Sequence, residues 1–313
     1  MSELLAATAQ GVFAIQPGRS NKEEGPADAH FLAQGADAAY AITDQAALWR
    51  RAADGWHLVS RETVPDEIWS FAADPRIPGR LYLGVSPAML YRSDDGGSTW
   101  TACESLKSMP GYETWTFPPP PHIPHVRSIA ADPSVAGAIY IGVEEGGVFR
   151  SPDGGDTWES LNQGLYWDVH TVVPADAGPD LYATTGAGFH YSSDSGSHWE
   201  HVPLPHRYTV PLLASRSTVG TLFTVAAEGP PPTWSNGVRG AIYRSPDGGR
   251  SWRRLEKGLP RQLDKMAGAL IEDDMGRVCA SIGGQVFFSN DSGESWQVLA
   301  EDLPDVRSLV SVQ

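Results

Sequence analysis

The sequence predicts an all-β fold, a seven-bladed β-propeller formed by residues 1–313 as a single domain. An eight-residue motif occurs five times, with Ser, Asp, Gly and Trp at its first, third, fifth and eighth positions. Successive motif Asp residues lie 58, 41, 53 and 44 positions apart, near the ~40–45-residue period of propeller blades. Strand-like runs flank each copy, and the 33 Gly and 25 Pro residues suit many tight turns.

Each copy of the motif is predicted to pin a hairpin between two strands of a blade. The Asp side chain can accept hydrogen bonds from backbone N–H groups two residues on, and the Gly supplies the positive φ that such a turn needs. The Trp covers the turn with a large apolar ring. Two residues before the Ser stands an aromatic side chain or, in the third copy, His190. The five copies span residues 93–100, 151–158, 192–199, 245–252 and 289–296.

The two ends of the chain are predicted to share one blade. Residues 4–8 and 11–15 match the second and third strands of a blade that lacks a first strand. Residues 305–310 match an innermost strand that no further strands follow. Pairing these segments would close the ring and remove its exposed strand edges.

The remaining blades follow in order along the chain. A degenerate blade without a recognisable motif is expected at about residues 30–61, and the last two blades at about 208–257 and 264–300. The count is then seven, and six is the alternative if residues 1–61 form only one blade. Innermost strands are expected at residues 67–75, 125–133 and 168–173, with second strands at 80–84, 138–142 and 180–184.

Composition excludes several classes of partner. A formal charge of −15 disfavours nucleic acids and anionic membranes, because both are bound through basic patches. No stretch reaches the ~18 apolar residues of a membrane span, and residues 1–5 lack the basic start of a signal peptide, so we expect a cytoplasmic protein. Cys103 and Cys279 fall in different blades and form no disulfide framework. The oligomeric state is left open.

Two long loops are candidates for the wall of a binding site. Residues 105–124 contain Trp115, Phe117 and four consecutive prolines, and residues 227–240 contain three prolines and Trp234. Long, proline-stiffened loops in compact domains are often functional. We expect Trp115 and Trp234 to cover a small-molecule ligand, although a rim that only shields the tunnel is equally consistent with these loops.

Polar side chains recur at the start of the innermost strands. The aligned first position carries Glu67, His125, Asp168 and Asp305, and the position two residues later carries Trp69, Arg127, His170 and Arg307. Side chains two residues apart on a strand point the same way, so both sets are expected near the mouth of the central tunnel. A loop between second and third strands adds Glu144 and Glu145.

Three interpretations of this polar ring compete. His125, His170, Glu145 and Asp168 could hold a divalent Zn, Mn or Fe ion that activates a bound water. Alternatively, His125 or His170 could act without metal as a general base while Arg127 steadies an anionic substrate. The third interpretation is a hydrated tunnel wall without chemistry.

The motif residues identify a family resemblance. The chain resembles Asp-box, or BNR-repeat, propellers over residues 67–300, a group that includes sialidases, sortilin-type receptors, photosystem assembly factors and bacterial propellers classed with glycosyl hydrolases. The resemblance implies the propeller fold but no single activity. Sialidases need an arginine triad. Arg127 and Arg307 could supply two members, but no third aligns, and the Arg-Ile-Pro sequence at 76–78 is expected on the opposite face.

We therefore expect a hydrolase or lyase acting on a small polar or aromatic molecule in a pocket at the tunnel mouth. The first interpretation of the polar ring adds a divalent metal ion to this activity. Catalysis would fall to His125, His170 and Arg127, and substrate contacts to Trp115, Trp234 and Glu67. The first alternative is a non-catalytic scaffold that binds a protein or a carbohydrate on the same face. The second alternative is a glycoside hydrolase with two working carboxylates.

Overall fold

The computed structural model describes residues 3–43 and 46–312, except for the side chain of Asn236. Within these residues, 28 strands form seven four-stranded antiparallel sheets, which confirms the seven-bladed propeller. Three short 3₁₀ helices lie in the two long loops, at Glu104–Ser108, Tyr112–Thr114 and Pro231–Asn236. None of the helices in the described part of the chain is long and apolar enough to cross a membrane.

The closing blade combines both ends of the chain, as predicted. Its innermost strand comes from the C-terminal segment and pairs antiparallel with the first strand of the chain, with Leu5 opposite Val310. From the tunnel outwards, its strands are β28 (Val306–Val312), β1 (Glu3–Thr8), β2 (Gly11–Gln16) and β3 (Arg19–Lys22).

The next three blades include the degenerate one, which keeps all four strands without the motif. It consists of β4 (Ala29–Gln34), β5 (Ala39–Thr43), β6 (Leu48–Ala52) and β7 (Gly55–Ser60). The third blade consists of β8 (Glu67–Ala73), β9 (Leu81–Ser86), β10 (Met89–Ser93) and β11 (Thr101–Ala102). The fourth consists of β12 (Val126–Ala131), β13 (Ile139–Val143), β14 (Gly147–Ser151) and β15 (Glu159–Ser160).

The last three blades repeat the same plan. The fifth blade consists of β16 (Val169–Pro174), β17 (Leu181–Thr185), β18 (Gly188–Ser192) and β19 (Glu200–Val202). The sixth consists of β20 (Tyr208–Ala214), β21 (Leu222–Ala227), β22 (Ala241–Ser245) and β23 (Arg253–Arg254). The seventh consists of β24 (Ala267–Glu272), β25 (Val278–Ile282), β26 (Gln285–Ser289) and β27 (Gln297–Ala300).

The core lies between the blades. Second strands such as β13 are buried along their whole length, because each is covered on both faces by a neighbouring sheet. Between the third and fourth blades, for example, Leu90 packs in one apolar cluster with Ile141 and Phe149. Burial of such side chains stabilises the fold by about 1.5–3 kcal/mol each.

The motif turns join the third and fourth strands of five blades. In the fourth blade, the Ser151 hydroxyl donates to Asp153 at 2.8 Å and accepts the Gly155 N–H at 2.7 Å. Asp153 accepts the backbone N–H of Thr157 at 2.8 Å and its hydroxyl at 2.6 Å. The carboxylate therefore reaches the N–H four residues on, not the one two residues on that we expected. Gly155 adopts the positive φ of 104° that was predicted for it.

A β-bulge interrupts every innermost strand near its start. The period-two alternation of side chains in the sequence did not predict these bulges. In each case the register against the second strand shifts by one residue, so one residue of the innermost strand is extra. Bulges re-aim a side chain and often occur beside functional sites. The extra residues are His30, Trp69, Arg127, His170, Gly268 and Arg307, and in β20 the bulge comprises Val210 and Pro211.

Candidate functional site

Five polar side chains from two adjacent blades meet at the end of the ring where the innermost strands begin. We call them the mouth cluster. They share this end because β12 and β16 begin there, and β13 ends there as the antiparallel partner of β12. The members are His125 before β12, Arg127 and His170 at the bulges of β12 and β16, Glu144 after β13, and Asp168 before β16.

Glu144 lies at the centre of the mouth cluster. Its side chain is 4% exposed, His125 Nε2 lies 3.0 Å from its Oε2, and the Arg127 guanidinium donates to the same oxygen. Burial alone raises the pKa of this carboxyl, but the His125 hydrogen bond and the Arg127 charge outweigh it and lower the pKa to about 2. Glu144 is therefore ionised at any physiological pH.

His125 is held in place by aromatic rings. Its imidazole is fully buried and stacks on Trp69 with the ring centroids 3.6 Å apart, and Phe117 meets it edge-on at 4.7 Å. Burial lowers the pKa of His125, while the nearby Glu144 carboxylate opposes that shift. A neutral imidazole that donates from Nε2 to Glu144 satisfies this geometry. This hydrogen bond and the aromatic stack fix the Glu144 carboxylate relative to His125.

His170 and Asp168 form the second half of the mouth cluster. His170 Nδ1 lies 2.5 Å from the carbonyl oxygen of Thr209 on the next blade, and its Nε2 lies 3.3 Å from Asp168 Oδ1. Both Nε2 and Oδ1 are buried and make no hydrogen bond. The ligand atoms of Glu144, Asp168 and His170 all lie within 4.8 Å of one another.

Glu145, which we predicted as a ligand, is directed differently from its neighbour. It occupies the turn between β13 and β14 with a left-handed φ of 52°, so Glu144 and not Glu145 joins the close group with Asp168 and His170. Burial raises the pKa of Glu145, and the charges of Asp168 and Glu144 raise it further. The three carboxyl groups are thus electrostatic neighbours.

The predicted substrate-binding residues are scattered. Trp115 lies in the core instead of over the mouth, 9% exposed and packed on Phe149 at 4.9 Å, because its loop folds down onto the blades. Trp234 is half-buried; its indole N–H donates to the Gly229 carbonyl at 2.8 Å, and its ring lies edge-on to Tyr208 at 5.9 Å. Glu67 is exposed at the start of β8.

Three aromatic residues beside the mouth cluster were not among the site residues predicted from the sequence. Tyr208 begins β20, and its buried ring lies 4.6 Å from that of His170; burial raises the pKa of its hydroxyl. Tyr166 and Trp167 are 41% and 49% exposed and directly precede Asp168. The sequence could have predicted this pair. Two large aromatic residues beside an acid, in the loop before an innermost strand, do not lie where the apolar core of a blade is expected.

Comparison with curated proteins finds xyloglucanases at low identity, and no family model matches the chain. A probable oligoxyloglucan-reducing end-specific xyloglucanase of Neosartorya fischeri is 25% identical over 185 residues, 55% of this chain and 22% of that protein. A xyloglucanase of Hypocrea jecorina is 27% identical over 183 residues, 54% of this chain and 20% of that protein. The chain therefore spans about a fifth of the length of these relatives.

Comparison with solved structures finds neighbours of similar fold over nearly the whole chain. The GH74 xyloglucanase from Xanthomonas campestris superposes with a TM-score of 0.65 at 18% identity, covering 96% of this chain and 47% of that one. YCF48 bound to D1 peptide superposes with a TM-score of 0.60 at 17% identity, covering 91% and 86%. At these identities the likeness shows the fold: the protein is a seven-bladed β-propeller with GH74 xyloglucanases among its structural neighbours.

Proposed function

We propose that this protein is a hydrolase that cleaves a carbohydrate bound across the mouth of the tunnel. One observation carries the proposal: Asp168, a carboxylate whose side chain is 15% exposed, directly follows the exposed aromatic pair Tyr166 and Trp167. The curated relatives are named as xyloglucanases, which supports a carbohydrate over the other small polar or aromatic substrates that we considered.

The aromatic pair supplies a platform for a sugar ring. The Tyr166 and Trp167 rings lie 6.4 Å apart at 57° to each other, and neither is needed by an apolar cluster. Exposed, adjacent large aromatic side chains are typical of ligand-binding surfaces. The apolar faces of sugar rings pack on such flat rings, while the sugar hydroxyls stay free for polar contacts.

The carboxyl groups supply the chemistry of bond cleavage. Glycoside hydrolysis uses one carboxyl group to protonate the leaving oxygen and a second to act on the opposite face of the sugar. Asp168 is 15% exposed and can reach a substrate or its attacking water, whereas Glu144 is 4% exposed and bound by His125 and Arg127. Glu145, partly exposed in the adjoining turn, is the second carboxyl group available to the substrate.

Arg127 links the mouth cluster to the bound sugar. Its guanidinium carries five N–H donors, and its side chain remains 24% exposed although it binds Glu144. The donors that are not used by Glu144 can bind substrate hydroxyl groups. This arrangement fixes the substrate relative to Asp168 by polar contacts from the same pair of blades.

Reducing-sugar release from a panel of xyloglucan, cellulose and mixed-linkage oligosaccharides tests the proposal. Asp168→Asn should lower kcat/KM at least about 100-fold, because it removes the acting carboxylate. Trp167→Ala should raise KM about fivefold with a smaller effect on kcat, because a stacking contact of about 1 kcal/mol is lost.

Asp305→Asn is the matched control. Asp305 stands at the corresponding position before β28, is exposed, and pairs with Lys265 at 2.5 Å, far from the carboxyl groups of the mouth cluster along the ring. This variant should keep the wild-type rate. Absence of sugar release from the whole panel, or an Asp168→Asn variant as active as the control, would contradict the proposal.

Peptide binding is the second candidate function. YCF48 bound to D1 peptide matches this chain over most of both lengths, whereas the GH74 match covers less than half of the enzyme. A scaffold would use the Tyr166–Trp167 platform without the carboxylates. Binding that is lost in Trp167→Ala but kept in Asp168→Asn, with no turnover in either protein, would favour the scaffold.

A further inference from the structure

The mouth cluster contains three side chains of the kinds that ligate metals. Glu144, Asp168 and His170 each offer one ligand atom, and these atoms lie within 4.8 Å of one another. Ligands with bonds of about 2.0–2.2 Å to one ion lie at most about 4.4 Å apart. Small side-chain rotations are therefore enough to close this set around a single ion.

His170 is prepared as a ligand by its hydrogen bond to the next blade. Nδ1 donates to the Thr209 carbonyl at 2.5 Å, which leaves the lone pair of a neutral imidazole on Nε2. The residue is only 2% exposed, and Nε2 has no hydrogen-bond partner. This buried nitrogen therefore faces the carboxylates of the mouth cluster with nothing bound to it.

Asp168 also has a buried oxygen atom without a hydrogen-bond partner. Its Oδ1 lies 3.3 Å from His170 Nε2, yet the two atoms do not form a hydrogen bond, and Oδ1 is also buried without a partner. A lone pair facing a carboxylate oxygen is repulsive, and burying such unpaired groups is costly. A cation placed between the two atoms and Glu144 removes both penalties.

Glu144 is positioned by groups that leave one of its oxygens available. His125 and Arg127 both contact Oε2, so Oε1 is the oxygen that can turn toward Asp168 and His170. Hydrogen-bonded outer residues that fix the direction of a ligand are a general feature of metal sites. In the site proposed below, His125 is therefore a positioning residue for Glu144, in place of the ligand role that the sequence suggested.

We propose that Glu144, Asp168 and His170 bind one divalent transition-metal ion, Mn²⁺ or Zn²⁺. One imidazole and two carboxylates suit these ions, whereas Ca²⁺ and Mg²⁺ are bound by oxygen ligands. Three protein ligands leave room for water on the ion, and Asp168 gives the site access to solvent. The proposal shares Asp168 with the proposed hydrolase: with the ion bound, Asp168 would hold it, and water on the ion would be the attacking group. Binding of the ion itself does not depend on any substrate.

Metal titration of the purified full chain tests the site without a substrate. After removal of metals with a chelator, the wild-type protein should bind one equivalent of Mn²⁺ or Zn²⁺, measured by elemental analysis after gel filtration. Asp168→Asn should bind at least about tenfold more weakly, and the Asp305→Asn control should match the wild type. Binding of less than about a tenth of an equivalent by the wild type, or equal affinity in Asp168→Asn and the wild type, overturns the proposal.

Two further measurements use only the wild-type protein, so they hold even if a variant fails to fold. Saturating Mn²⁺ or Zn²⁺ should raise the unfolding temperature, since a ligand that binds the folded state stabilises it, and Mg²⁺ at the same concentration should not. Pulsed electron paramagnetic resonance of the Mn²⁺ protein should show coupling to a histidine nitrogen. Lack of either effect overturns the assignment, whatever the outcome of the carbohydrate assays.

Discussion

At the scale of single residues, a buried ionisable group is costly unless a specific partner compensates its charge. Glu144 stays ionised because His125 and Arg127 bind the same oxygen. Removing one partner from a buried pair commonly costs about 3–5 kcal/mol, since the other charge is left without compensation. The mouth cluster is therefore an energetic unit as well as a chemical one.

His190 lacks such a partner. It occupies the position where the other motif-bearing blades have Tyr91, Phe149, Tyr243 and Phe287, and it is 3% exposed. Burial lowers its pKa to about 4, and His201, with its ring 4.9 Å away, opposes protonation further. The unfolded chain, with a histidine pKa of about 6.5, takes up the proton first. The stability that neutral His190 contributes is thus full above about pH 6.5 and is lost as the pH falls toward 4.

His190→Phe should remove this acid sensitivity. Between pH 7.5 and pH 5 the wild type should lose about 2 kcal/mol of unfolding free energy through His190, a loss the variant does not suffer. Urea unfolding at the two pH values measures it. The exposed His57, changed to Gln, is the control and should leave the pH difference within about 0.5 kcal/mol. Equal pH dependence in His190→Phe and the wild type would refute this account.

At the scale of elements, two devices shape every motif-bearing blade. The motif turn fixes the hairpin between the third and fourth strands through the Ser and Asp side chains, and the bulge re-aims one residue of the innermost strand. At Gly268 the bulge brings the next blade so close that a Cβ would lie 1.9 Å from the Val306 oxygen. The bulges thus build the seams between blades as well as the mouth.

Ser151→Ala tests the motif turn. Ser151 is fully buried, and its hydroxyl oxygen accepts the Gly155 N–H at 2.7 Å, so the variant leaves a buried N–H without a partner. The expected loss is about 2 kcal/mol of unfolding free energy, measured by urea or thermal unfolding. Ser98→Ala removes an exposed motif hydroxyl that donates to the backbone carbonyl of Asp95 at 3.2 Å, and should cost less than about 0.5 kcal/mol. Equal losses would show that the buried acceptor is not what holds the turn.

At the scale of the whole molecule, the ring depends on one pairing between distant parts of the chain. β28 pairs with β1 along six positions and completes a blade whose other strands are N-terminal. The same strand packs on β24 and β4, so it joins the first blade to both neighbours. Without it, the ring has a gap and β1 an unpaired edge.

Deletion of residues 304–313 should therefore open the ring. We expect the truncated chain to self-associate on gel filtration and to unfold at least about 10 °C below the full chain, because exposed edges and the lost apolar seam act together. A synthetic peptide of residues 304–313, added to the truncated chain, should restore the elution volume of the full chain. A truncated chain that elutes like the full chain, with an unchanged unfolding temperature, would show that the closing strand is dispensable.

The architecture and most members of the mouth cluster could be predicted from the sequence. The motif spacing placed the blades, and the chain ends predicted their shared blade. His125, Asp168 and His170 were placed at the mouth, where the structure also has them. Glu145 was predicted as a ligand, whereas the structure places an oxygen of Glu144 close to Asp168 and His170. Trp115 was misplaced because nothing local shows whether a loop folds onto the core.

The sequence by itself determined the all-β ring, its seven blades and the strand that closes it, because turns, strand alternation and repeat spacing are properties of neighbouring residues. Tertiary structure decided which polar groups meet. His170 is aimed by a bulge and by the Thr209 carbonyl of another blade, and Glu144 is charged because Arg127 and His125 surround it. Such contacts join residues whose separation in the chain carries no information on their distance in space, so only the packed ring could show them.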